Sequence, residues 1–344
     1  MWFTSDNAAP AAPEVLAALA RANAGPAMAY GGDAETERAR AMVREVLEAP
    51  QASVEFVGIG TAANALALAA LTPPWGAVFC HDEAHVEMDE CGAPEFFTGG
   101  AKLVSVPGAD GRMDGAALEA AMARVGGSVH HVQPGALSLT QATEAGTVYP
   151  AAEIAALAAR AKAAGVPVHL DGTRFANALA ATGASPAEMS WKAGVDVLCL
   201  GFSKNGAIGA EAVVFFDDAK AWEFQLRRKR GGHLFSKMRF VAAQVSALLE
   251  GGVWLRLAAH ANAMAAALAE ELKGVEGVRI LHPVEANIVF ADLPVAAHEA
   301  AKAKGAAYYD MPGAQEGFVR VRLVASGATE AAEVEGLIAA LKAG

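Results

Sequence analysis

Alanine-rich stretches with helical character alternate along most of this chain with short, β-branched runs, and few folds accommodate that alternation. Residues 14–23, 34–48 and 151–164 read as helices. Residues 52–57, 77–80, 102–106, 128–133, 166–170, 195–200 and 212–216 read as strands. Helix and strand in turn predict an α/β fold: a mostly parallel sheet covered by helices on both faces. The pattern does not reveal which strands run antiparallel. A long helical tract over residues 235–272 then leads to strands at 278–281, 286–290 and 319–323, the mark of a smaller α+β domain. The expected organisation is an N-terminal arm over 1–14, a large domain over 15–245 and a small C-terminal domain over 246–344.

Composition narrows the class. With 344 residues, 54% of them hydrophobic and 19% charged, the chain suits a soluble protein with a large core. A net charge of -11 argues against a nucleic-acid surface. The basic cluster Arg227-Arg228-Lys229-Arg230 is then a solvated helix face or a contact to a partner subunit. Cys80, Cys91 and Cys199 lack metal-ligand spacing, and their odd number fits a reducing cytoplasm. The start carries no basic segment followed by an apolar one, so no signal peptide is expected. Residues 57–80 are uncharged, but Gly58, Gly60, Asn64, Pro73 and Pro74 break them into strand, turn and helix rather than a membrane span.

Two strand ends carry the chemistry. Val166-Pro167-Val168-His169-Leu170 delivers Asp171-Gly172-Thr173-Arg174, and the run from Val195 to Phe202 delivers Ser203-Lys204-Asn205-Gly206. Open α/β sheets place their ligands at such carboxyl ends. Taken singly, Lys204 reads as a solvated loop lysine and Asp171 as a helix cap. Together they suit pyridoxal phosphate, which needs an amine for a Schiff base and a carboxylate to keep its pyridine nitrogen protonated.

Other segments extend the site. Gly58-Ile59-Gly60-Thr61 closes a strand and opens a helix, where free amides and a threonine hydroxyl hold a phosphate. The same residues, with Ala63 and Asp82, also match a dinucleotide-binding turn, which would leave Asp171 and Lys204 without a task. His81 and His85 sit in a polar strand-end segment, where a histidine can stack on a planar cofactor or relay a proton. Their spacing lacks a third ligand, so a metal is not expected. Arg320 and Arg322 share one face of a late strand; one suits a carboxylate fork and the other is expected to be exposed.

With these residues in hand, the chain resembles the threonine aldolase and β-eliminating lyase family, pyridoxal phosphate enzymes of the aspartate aminotransferase fold. The likeness runs from Ser5-Asp6 to Arg322 through Tyr30-Gly31-Gly32-Asp33, Gly60-Thr61-x-Ala63-Asn64, His85 with Glu90-x-Gly92, Asp171-Gly172-x-Arg174 with Asn177, and Ser203-Lys204-x-Gly206. Leu139 to Tyr149 is similar to the low-specificity L-threonine and phenylserine aldolase branch. The resemblance implies that Lys204 bonds the cofactor, Asp171 pairs with its ring nitrogen and His85 stacks on the ring. It implies that Gly60, Thr61 and Ser203 hold the phosphate, and that Ser5, Arg174 and Arg322 clamp the substrate carboxylate. It also implies a homodimer or homotetramer with shared sites, in which Tyr30 or the 227–237 tract, Lys237 included, reaches a partner's phosphate.

The implied reaction cleaves β-hydroxy-α-amino acids to glycine and an aldehyde. Two departures matter. Gln141-Ala142-Thr143-Glu144 stands where many relatives have a histidine, which leaves His85, through a water, as general base. The tract Gly231 to Lys237 also departs from the family's glycine-rich stretch. The alternatives are β-elimination or amino transfer on the same fold, or a nucleotide-binding oxidoreductase.

Overall fold

A computed structural model describes all 344 residues. Its main sheet has seven strands: β1 (Ser53–Val57), β2 (Gly76–His81), β3 (Lys102–Val106), β4 (Gln133–Thr140), β5 (Val168–Gly172), β6 (Val197–Gly201) and β7 (Glu211–Phe215). They lie in the order β1-β7-β6-β5-β4-β2-β3. The pairs β2–β3, β2–β4, β4–β5 and β5–β6 are parallel; β7 runs antiparallel to both β6 and β1. Strands β2, β5, β6 and β7 are buried along their whole length, as a sheet covered on both faces requires.

A second sheet holds β8 (Arg279–Ile280), β9 (Ile288–Pro294), β10 (Tyr309–Met311) and β11 (Phe318–Val324) in the antiparallel order β10-β11-β9-β8. Each sheet builds its own apolar core. The N-terminal segment ties the two together. Phe3 is fully buried in the small core, its N–H donates to the Ala307 carbonyl at 2.7 Å, and its carbonyl accepts from the Val324 N–H at 2.9 Å. Nine residues on, the Ala12 N–H donates to the Gly206 carbonyl at 2.8 Å, on the large sheet's side.

Helix Gly60–Leu71 is apolar around its whole circumference because it is buried all round, with nine of its residues inaccessible. The uncharged stretch over 57–80 is therefore strand, helix and strand, as its breakers imply. Three expectations need correction. The strand expected at 128–133 lies later, at Gln133–Thr140. Left-handed Gly126 and Gly127 turn the chain there, the Gly126 N–H donates to the Val132 carbonyl, and residues 128–132 form turns. The helical tract expected over 235–272 is two helices, Arg239–Leu249 and Val253–Leu272, broken where Gly251 and Gly252 both take positive φ. The basic cluster is not a wholly solvated face: Arg228 is buried, 2.8 Å from Glu55, and donates to the Phe56 carbonyl.

Candidate active site

The carboxyl ends of β5 and β6 lie side by side, with Asp171 in register with Cys199 and Gly172 with Leu200. The close approach beyond them depends on glycine. A Cβ on Gly201 would come within 2.5 Å of the Thr173 carbonyl oxygen. Three residues past Ser203, Gly206 turns the chain with φ +99°. Asn205 anchors this turn by donating to the Trp254 carbonyl at 2.8 Å. Lys204 is thereby held at the wall of a cavity of about 540 Å³, a volume suited to a small ligand.

Of the residues expected in the site, Ser5, His85, Arg174, Lys204 and Arg322 line this cavity together. Asp171 is buried beside it. Its Oδ1 accepts from the Thr173 N–H at 3.0 Å and the Thr173 hydroxyl at 2.7 Å, and its Oδ2 accepts from Asn64 at 2.9 Å. Burial alone would raise this carboxyl, but His85 and the Thr173 bonds outweigh burial and hold it below the ordinary range. Burial, and then the Arg174 charge, push the Lys204 ammonium below its usual pKa and so favour the nucleophilic free amine.

Gly60, Thr61 and Ser203 are not on the cavity wall; they lie where the loops following β1, β5 and β6 meet. A Cβ at Gly60 would stand 3.5 Å from the Thr173 hydroxyl, and one at Gly209 3.0 Å from the Gly58 carbonyl. Ser203 Oγ accepts from the Ala210 N–H at 3.1 Å. Helix Gly60–Leu71 opens here with no side chain capping it, which leaves its first amides for an anion. Lys237 is exposed and off the cavity wall, and Tyr30 is exposed with the Lys229 ammonium 4.8 Å from its ring centroid. Of the two strand arginines, Arg320 forms a fork with Asp292 at 2.8 and 3.1 Å, while Arg322 is the one free to bind. The Asn177 amide donates to Asn262 Oδ1 and Asn262 Nδ2 donates to the Asn177 backbone carbonyl, which fastens helix Phe175–Thr182 to the helix Val253–Leu272.

Several contributors had no role assigned from sequence. Glu90 accepts from Asn64 at 2.9 Å and lies 2.8 Å from His85 Nδ1, so His85, Glu90, Asn64 and Asp171 form one hydrogen-bonded chain. The bond to Glu90 raises the pKa of His85, with burial opposing it. His85, Glu90 and Asp171 crowd closely enough to suggest a cation site. The Asn64 amide, however, donates into the gap between the two carboxylates, where a cation would need acceptors only. Asp6 grips Arg174 in a fork, Nε–Oδ2 2.7 Å and Nη2–Oδ1 3.0 Å, and also accepts from Asn287 at 3.1 Å. Glu144, on the loop after β4, faces Arg174 Nη1 at 3.8 Å and Arg322 Nη2 at 4.0 Å. Asn64 and Glu90 were visible as motif letters; the partners of Asp6 and Glu144 lie too far along the chain to be read.

The residues fit pyridoxal phosphate: a partly buried lysine on the cavity wall without an acid partner, a buried ionised carboxylate near it, and a helix start with unsatisfied amides. They do not suit a dinucleotide. The glycine turn follows β1, an edge strand paired only with antiparallel β7, whereas dinucleotides bind where a parallel sheet reverses its strand order. Asp82, which would hold the ribose, is half exposed beside His81.

Comparison with known proteins agrees with this geometry. The profile of the beta-eliminating lyase family matches residues 3–296. A low specificity L-threonine aldolase of Pseudomonas aeruginosa is 47% identical over 312 residues, covering 90% of this chain and 89% of that protein. Another from a Pseudomonas species is 43% identical and covers 99% and 97%. The solved threonine aldolase of Leishmania major superposes with a TM-score of 0.94 at 30% identity, over 99% of this chain and 98% of that one.

Proposed function

This chain belongs to the beta-eliminating lyase family, and from that premise we propose that it is a pyridoxal phosphate-dependent lyase cleaving L-threonine and L-allo-threonine, or phenylserine-type β-hydroxy-α-amino acids, to glycine and an aldehyde. The observation that carries this function is the convergence of Lys204, His85, Arg174 and Arg322 on one cavity, with ionised Asp171 buried beside it.

Lys204 would supply the amine that bonds the cofactor, Asp171 would pair with its ring nitrogen, and His85 would stack on its ring. Gly60, Thr61 and Ser203 would hold its phosphate. When bound, pyridoxal phosphate supplies an electron sink that makes a bond at Cα breakable.

The protein's own groups do the rest. Asp6 occupies Nε and Nη2 of Arg174, so the guanidinium is fixed and presents Nη1 to the cavity. Arg322 and the Ser5 hydroxyl complete a clamp for the substrate carboxylate. A carboxylate fixed at one end sets the direction of the Cα–Cβ bond, and such positioning is a large part of the rate enhancement. The hydrogen-bonded chain from Asp171 through Asn64 and Glu90 to His85 keeps the imidazole in place, while the His85 charge and the Thr173 bonds keep the Asp171 carboxylate ionised.

We further propose a cytoplasmic homodimer or homotetramer, in which exposed Tyr30 or the tract from Arg227 to Lys237 completes a neighbour's phosphate site. Exposed apolar groups including Met28, Ile59, Ile208 and Phe235 support association.

The experiment is incubation of the holoenzyme with L-threonine and analysis of the products. Glycine and acetaldehyde in equal amounts, lost in a folded Lys204→Ala variant, are expected. A keto acid with ammonia would instead indicate β-elimination or amino transfer. Borohydride reduction should trap the cofactor on Lys204; a protein that stays colourless with added pyridoxal phosphate would refute the assignment.

A further inference from the structure

We propose that Glu144 is a catalytic residue, the acceptor of the substrate's β-hydroxyl proton; this rests on the function proposed above. Glu144 sits where the chain has no histidine to serve, in a turn built to present it. The Thr143 N–H donates to the Thr147 carbonyl at 2.9 Å, the two threonine hydroxyls pair at 2.8 Å, and the Thr147 hydroxyl donates to the Asp110 carbonyl at 2.6 Å. The backbone of Glu144 is therefore fixed, while its partly buried side chain reaches the cavity.

Its neighbours supply the second observation. Glu144 Oε2 faces Arg174 Nη1 at 3.8 Å and Arg322 Nη2 at 4.0 Å, and it is the one acid within 4.0 Å of Arg322. Because Asp6 holds the other edge of Arg174, the groups that Glu144 faces are those left for a substrate carboxylate. In the free protein Glu144 thus stands next to the place the substrate must enter. An arriving carboxylate shares the two guanidinium charges and sets a second negative charge beside Glu144.

The other candidate is less suited. His85 Nδ1 is tied to Glu90 at 2.8 Å, a bond that favours the imidazolium, and an imidazolium donates rather than accepts. Glu83 and Asp89, also on the wall, are exposed to solvent.

In the step, the β-hydroxyl O–H bond breaks and its proton passes to a Glu144 oxygen. The freed pair forms the aldehyde C=O, and the Cα–Cβ pair departs with the glycine carbon. That carbon then takes a proton from solvent and Glu144 returns one to solvent, so the products are glycine and the aldehyde with no other reactant.

The test uses two reactions of one holoenzyme. Exchange of the glycine α-proton in deuterated water needs the cofactor and the carboxylate clamp but has no hydroxyl to deprotonate. Cleavage of L-threonine needs all three. For Glu144→Gln we expect cleavage to fall on the order of 10²- to 10⁴-fold while glycine exchange stays within about threefold of wild type. Glu144→Asp, which keeps a shorter carboxylate, should retain more cleavage than the Gln variant, and it serves as the test if that variant does not fold. Cleavage undiminished in both variants would overturn the proposal. So would parallel loss of cleavage and exchange, which would assign Glu144 to the clamp or to folding. A wild-type protein that exchanges glycine but forms no aldehyde would refute the proposed function instead.

Discussion

Asp6 and Arg174 are both almost fully buried and are joined by two bonds of 2.7 and 3.0 Å. Removing one member of such a pair strands the other charge in the interior. Asp6→Ala should therefore destabilise the protein by roughly 3–5 kcal/mol in denaturant unfolding. Burial raises the Asp6 carboxyl, but the Arg174 charge and hydrogen bond outweigh it, and the folded pKa lies below the ordinary value. The stabilisation is thus present above about pH 4 and is lost as pH falls further toward the folded pKa. Glu211 behaves oppositely. Buried at the start of β7, accepting from the Phe202 N–H at 3.1 Å, it is pushed up to about 7, burial being the main cause. Its folded pKa lies above the unfolded one, so its contribution is full at low pH and is lost as pH rises toward 7. Glu211→Gln keeps the acceptor without the charge. Its melting temperature should exceed that of wild type at pH 8, and the gap should close near pH 5.

At the scale of elements, the site depends on two strand ends and the turn after β6. Gly206 has φ +99°, and a Cβ there would come within 2.9 Å of Leu257 and 3.1 Å of Ala12. Gly206→Ala should cost about 1–3 kcal/mol and shift the Lys204 turn. The variant is expected to melt lower and to retain less cofactor, read as visible absorbance per chain; unchanged occupancy would show that the turn does not position Lys204. The strand ends themselves were legible in the sequence. The apolar runs before Asp171 and Lys204 have the length and β-branching of buried strands, and polar residues after such runs fall at a sheet's edge. Val129 and Val132 have strand character yet lie in turns, while the strand itself, Gln133–Thr140, includes Pro134 and Gly135. Contacts with β2 and β5 overrode its weak propensity.

For the molecule as a whole, the first twelve residues act as a strap between the two sheets. Phe3 fills the small core, Asp6 holds Arg174 and is itself held by Asn287, and the Ala12 N–H reaches Gly206. Deleting residues 1–9 should lower the melting temperature and weaken glycine binding, whereas a free arm would change neither. Cofactor binding links to the same stability. Pyridoxal phosphate at about a hundred times its dissociation constant should stabilise the fold by about 2.7 kcal/mol, and by much less in Lys204→Ala. Scanning calorimetry with and without the cofactor measures both.

The sequence by itself determined the alternation of helix and strand, and hence a helix-covered, mostly parallel sheet. It also determined the lysine and aspartate at neighbouring strand ends and the family those motifs resemble. These follow from local chemistry: side-chain periodicity, turn residues and short motifs act over a few positions. Only the tertiary structure decided that β7 runs antiparallel, that Arg322 rather than Arg320 is left free, and that Asp6 and Glu144 face Arg174. Those pairings join residues up to 168 positions apart. A charge seeks a partner because burial removes its water, and which partner it finds depends on how the sheets pack.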